Sequence, residues 1–123
     1  MAEKKKRILY VQTSGVDHPK RLYSPFVLAM TAKAMDIDAT IYFLGLGLTV
    51  IKKGMAETVK EGSFPSLKEI MGQAIKAGVK LLVCEQSTQL LRMERGDFIP
   101  EAKIVGAATL NDLVLDADGT MWF

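Results

Sequence analysis

Five short runs rich in β-branched and aromatic residues punctuate this chain, and stretches of helical pattern separate them. Residues 7–12, Arg-Ile-Leu-Tyr-Val-Gln, read as a buried strand closed by the turn-forming Thr13-Ser14-Gly15, because a short apolar run bounded by turn residues suits a strand covered on both faces. Ser24-Pro25 then opens a helix that continues to Met35, with a capping hydroxyl and a proline at the first helical position. Its apolar residues circle most of the circumference, so it is covered on more than one side. Residues 39–44 form the second strand, followed by the glycine loop Gly45-Leu46-Gly47 and a short helix over 48–53 stopped by Gly54. Residues 55–65, which follow Gly54, hold Gly62 and Pro65 and read as a loop.

The second half repeats the alternation. Ser66-Leu67-Lys68-Glu69 matches a capping box and Gly78 supplies the stop, which predicts a helix over 67–77. The run Val79-Lys80-Leu81-Leu82-Val83 is a strand ending near Cys84. A helix over 88–93, a loop over 94–101, a strand over 102–105, a helix from the capping-box-like Thr109-Leu110-Asn111-Asp112 to Leu115, and a strand over 120–123 complete the series. Strand and helix alternating in this way predict an α/β fold: a three-layer sandwich with a mostly parallel five-stranded sheet and helices on both faces. Crossovers in such a sheet are right-handed, and ligands gather at the carboxyl ends of the strands. Thr13, Ser14, Gly15, Gly45 and Cys84 would meet at that edge.

At 123 residues the chain suits one domain, with residues 1–6 a basic, flexible lead-in. One cysteine and one histidine provide neither an internal disulfide nor a Cys/His zinc site, so no metal is expected. The basic amino terminus precedes a strand pattern rather than a secretory core, and no apolar run is long enough to span a bilayer. A cytoplasmic protein without membrane contact is the expectation. The net charge of +2 and the absence of an aromatic-and-basic stripe argue against nucleic acid. A 49% apolar composition and the closing Met121-Trp122-Phe123 point to apolar surface covered by another subunit, hence a homo-oligomer.

Candidate chemistry centres on Cys84, where the strand gives way to Glu85-Gln86-Ser87-Thr88. A thiol between a strand end and a helix start lies where free N–H groups favour the thiolate, while a cysteine after Leu-Leu-Val is equally read as a small core residue. Cys84 and Ser87 have Cys-x-x-Ser spacing. With Ser87 capping the next helix, its hydroxyl and the first N–H groups, with Gln86 between, would stabilise a thiolate or persulfide anion. One thiol cannot run a dithiol cycle, which leaves a carrier that accepts a sulfane sulfur and passes it on. A hydrolase would need His18 beside the thiol with an orienting carboxylate, and Asp17 is the sole nearby candidate; His18 reads as an ordinary loop residue. Gly45-Leu46-Gly47 is no dinucleotide fingerprint, since Val50 stands where the third glycine belongs, and Thr13-Ser14-Gly15 lacks the lysine of a P-loop. An anion could rest on its N–H groups, though turn geometry accounts for the residues. No cofactor is expected. Met30, Met35, Met55, Met71 and Met93 read mostly as core filler.

In element order the chain resembles the DsrE/DsrF-like group, which includes sulfur-relay subunits of the Dsr and Tus type. The residues concerned are the first strand with Thr13-Ser14-Gly15, Tyr42-Phe43-Leu44-Gly45-Leu46 with 48–54, Val83-Cys84-Glu85-Gln86-Ser87, and Val105-Gly106-Ala107 to Leu110 with Ala117-Asp118. The resemblance implies one α/β domain, assembled into dimers, trimers or hexamers. It also implies a persulfide carried on Cys84, with Ser87 as its motif companion and unidentified sulfur donor and acceptor proteins as partners. The chain lacks the second, carboxyl-terminal cysteine of some relay subunits. The alternative is a non-catalytic ligand-binding or assembly module in which Cys84 is incidental, and a peroxide-sensing thiol is a third reading. Enzyme status stays open.

Overall fold

The computed structural model describes residues 5–123. Its five strands, β1 (Arg7–Gln12), β2 (Asp38–Phe43), β3 (Lys80–Cys84), β4 (Ala102–Val105) and β5 (Gly119–Trp122), form one sheet in the order β4-β3-β2-β1-β5. Every pairing is parallel. Helices α1 (Tyr23–Ala34), α2 (Leu67–Lys76), α3 (Glu85–Leu90) and α4 (Ala107–Asp116) connect them. The expected lead-in lies outside the described residues at 1–4, while Lys5 pairs with Asp36 and Asp38 at 3.3 and 3.4 Å.

Strand order decides where the helices go. From β1 to β4 the chain steps one way across the sheet, then returns past β1 to lay down β5. Crossovers of one hand therefore place α1 and α2 on one face and α4 on the other. The core follows this division. Phe26 and Ala29 of α1 and Leu67, Ile70 and Met71 of α2 pack with Tyr10, Ile41, Phe43, Leu81 and Val83. Leu9, Val11, Tyr42 and Cys84 face the opposite side, where Leu110 and Leu113 of α4 lie against them.

Local structure departs from the sequence reading at several starts. The 3-10 turn Pro19–Arg21 runs straight into α1, so the helix begins at Tyr23; Leu22 occupies the cap position without a side-chain bond, and Ser24-Pro25 lie inside the first turn. The first-turn N–H groups have no intrahelical partner, so a proline there sacrifices nothing. Gly45–Val50 forms a 3-10 turn, not a loop followed by a helix over 48–53. It lies so close to β1 that a Cβ on Gly47 would overlap the Gln12 carbonyl. Helix α4 begins at Ala107 after Gly106, two residues ahead of Thr109. At α2 the expected cap is present: Ser66 Oγ accepts the Glu69 N–H at 3.3 Å. Met71 is buried, and Met30 and Met93 pack on the core, but Met35 is 64% exposed.

Candidate functional site

Parallel strands deliver their carboxyl ends to one edge of the sheet, and the singled-out residues meet there unequally. Cys84 is the last residue of β3 and the residue preceding α3. The helix starts at Glu85 rather than Thr88, so Ser87 stands within its first turn and does not cap it. Its role is tertiary instead. Ser87 Oγ accepts the Gly45 N–H at 2.8 Å, which leaves the hydroxyl proton free to be donated to the neighbouring sulfur. Gly45 belongs to the site through that N–H, held in a left-handed conformation (φ 58°) that glycine adopts without penalty.

The Cys84 side chain faces α4, within the cluster of Leu9, Val11 and Tyr42, and is 4% exposed. Its Sγ lies 3.7 Å from Gln86 Oε1. Burial pushes the thiol pKa up, but hydrogen bonds from the Ser87 hydroxyl and N–H, the Tyr42 hydroxyl and the Gln86 N–H together hold it below the ordinary thiol value. Tyr42 shifts the opposite way, its phenol pushed well above its usual range by burial and then by the adjacent sulfur. It therefore remains a donor, available to the Gly106 carbonyl at 3.5 Å or to Cys84. The sheet register explains this neighbour. Tyr42 opposes Leu82 across β2 and β3, so Tyr42 and Cys84 share a face on a diagonal. Glu85 is exposed.

The first loop does not join this centre. The N–H groups of Thr13 and Ser14 are both taken by the Phe123 carbonyl, and the Thr13 hydroxyl bonds the same oxygen at 2.7 Å. These groups are not free to hold an anion. Gly15 serves packing: a Cβ there would stand 2.6 Å from the Leu46 carbonyl and the Thr49 hydroxyl. His18 pairs with Asp17 at 3.5 Å, well exposed, and makes no contact with the thiol. A cleft of about 220 Å³ lined by Arg7, Asp38, Thr40, Lys80 and Asp116 opens at the opposite ends of the strands. Lys80 begins the strand that Cys84 ends, so the cleft and the thiol are different places. Among the described residues no cluster of His, Cys, Asp or Glu could hold a metal ion, and no helix is long and apolar enough to cross a membrane.

The profile of the DsrE/DsrF-like family matches residues 6–123. The chain belongs to this family. An uncharacterised relative from Methanocaldococcus jannaschii, MJ0760, is 28% identical over 102 residues, which are 83% of this chain and 37% of that protein. This chain thus spans well under half the length of that relative. The sulfur carrier protein DsrE2 of Allochromatium vinosum is 21% identical over 136 aligned positions, covering 78% of this chain and 86% of the carrier. Among solved structures, the ychN protein of E. coli superposes with a TM-score of 0.78 at 16% identity, covering 98% of this chain and all of that one. The two chains therefore share one α/β fold at low sequence identity.

Proposed function

We propose that this family member is a sulfur carrier that accepts sulfane sulfur on Cys84 and passes it to a partner protein. The observation that carries the reading is the donor set around the sulfur. A thiol this deeply buried in apolar surroundings ordinarily stays protonated, yet the Ser87 hydroxyl and N–H, the Tyr42 hydroxyl and the Gln86 N–H lower its pKa. The same donors suit a terminal persulfide anion. The Cys84 thiolate attacks the outer sulfur of a donor persulfide; the new S–S bond forms as the donor's breaks, and the donor leaves as thiolate. Transfer to the acceptor repeats the exchange in reverse, with no net oxidation. The family and the name of the Allochromatium relative point the same way.

The 4% exposure of Cys84 favours the second reading, a ligand-binding or assembly module with an incidental thiol. Intact-protein mass spectrometry after incubation with a sulfane-sulfur donor separates the two. A reductant-reversible gain of one sulfur on wild type, absent in Cys84→Ser, supports the carrier. No gain, together with a thiol that resists alkylation until the protein is unfolded, supports the module.

A further inference from the structure

Cys84 sits among side chains that are fixed in place, with one exception. Tyr42 is fully buried and Ser87 is 5% exposed, and both are tied by hydrogen bonds, Tyr42 to the Gly106 carbonyl and Ser87 to the Gly45 N–H. Leu44, Leu82, Val105 and Leu110 pack partly buried against the same cluster. Gln86 is the one exposed side chain of this set. Among the described residues it bonds only the sulfur: the Cys84 S–H donates to Gln86 Oε1 across 3.7 Å.

That contact is opposite in sense to the others. Ser87, Tyr42 and the Gln86 N–H donate to the sulfur and favour its thiolate, whereas a carbonyl oxygen accepts and so favours the protonated thiol. Gln86 thus meets the sulfur twice, with a backbone donor that holds the thiolate and a side-chain acceptor that holds the thiol. Loss of the proton leaves a carbonyl dipole facing an anion, and a side chain already in contact with water can turn away from it.

We propose that the Gln86 side chain is a proton-coupled latch on Cys84, closed over the thiol with Oε1 on the S–H and swung into solvent when the sulfur is a thiolate or a persulfide anion. The inference rests on sulfur carriage by Cys84, and it supplies what a nearly buried carrier needs, a way to open without moving a strand or a helix. The S–H bond breaks as its proton passes to water, the amide turns out, and the freed thiolate meets the donor's outer sulfur. The titratable group facing the sulfur from a neighbouring element is the Tyr42 phenol, which stays protonated. From β4 and α4 the cluster receives Val105, Leu110 and Leu113, and Glu85, next in the chain, is exposed.

The test is the pH–rate profile of iodoacetamide alkylation on the folded full chain, for wild type, Gln86→Ala and Gln86→Glu, with circular dichroism to confirm the fold. Gln86→Ala removes the acceptor and is expected to lower the alkylation midpoint by about half a unit, read as about threefold faster reaction at pH values below it. Gln86→Glu keeps the shape, offers a stronger acceptor and adds a negative charge, and is expected to raise the midpoint by about one unit. A midpoint that Gln86→Ala leaves unchanged or raises, or a thiol that stays unreactive in all three folded proteins, overturns the latch. Loading the same proteins with a sulfane-sulfur donor separates this inference from the carrier reading. Midpoints that move as stated with no sulfur gained uphold the latch and remove the carrier, whereas sulfur gained by all three with midpoints unmoved upholds the carrier and removes the latch.

Discussion

Among the described residues, the cluster beneath α1 and α2 holds twenty-two buried apolar residues, whereas beneath α4 the buried set is Leu9, Val11, Tyr42 and Cys84. Both faces belong to the same strands, and the topology separates them: three forward steps across the sheet leave α1 and α2 on one side, and the single return step leaves α4 alone on the other. The thick face supplies most of the burial that holds the fold together. The thin face, with no fully buried residue on its helix, can hold polar donors around a sulfur. Two layers of unequal thickness let a marginally stable domain place a partly satisfied thiol where it costs the core little.

Substitutions on the two faces should therefore differ in what they damage. Phe26→Ala on the thick side removes a fully buried ring and is expected to cost about 3–5 kcal/mol by chemical denaturation, with the thiol pKa unchanged in the fraction that folds. Gly47→Ala strikes the turn lying on the Gln12 carbonyl; forcing the backbones apart is expected to cost about 1–3 kcal/mol, and the displaced Gly45–Ser87 bond should slow thiol alkylation as well. Ser87→Ala on the thin side should cost about 1 kcal/mol in stability but raise the thiol pKa, seen as slower alkylation at neutral pH. Tyr42→Phe is expected to cost less than about 1 kcal/mol, again with the thiol pKa raised. A thin-face substitution that unfolds the protein while leaving the thiol unchanged would dissolve the comparison.

The smallest effect is in the pH dependence of stability. A thiol whose folded pKa lies below its unfolded value stabilises the fold fully above the unfolded pKa, and that contribution is lost as pH falls through the folded one. Stability should thus gain a rising component from neutral toward alkaline pH, and Cys84→Ser should flatten it in denaturation midpoints measured across that range.

How much of this was legible in the sequence follows the range of the interactions. The strands at 7–12 and 102–105 and the Ser66-capped helix were readable because a β-rich run between turn residues and a local cap are decided within a few positions. The convergence of Gly45 and Cys84 on one edge followed from parallel order alone. Helix starts at Tyr23, Glu85 and Ala107 are not marked in the sequence because Leu22, Cys84 and Gly106 hold the cap positions without a capping side-chain hydrogen bond. Ser87 was singled out as a cap, yet it acts through Gly45, 42 residues away in sequence. Tyr42 was missed as a site residue since its neighbour is set by strand register. Pairing the ends of the second and third strands and then matching side-chain parity is the signal that would have found it. Thr13 and Ser14 looked free because their partner, Phe123, lies at the far end of the chain.

The most direct test of the thin face as a built thiolate site is the rate of iodoacetamide alkylation of the native protein as a function of pH, for wild type and Ser87→Ala. The account predicts that Cys84 reacts in the folded state with a midpoint below that of the same thiol in the unfolded chain, and that Ser87→Ala moves this midpoint upward. A thiol that reacts only after unfolding, or one whose midpoint matches a free cysteine and ignores the loss of Ser87, would contradict it.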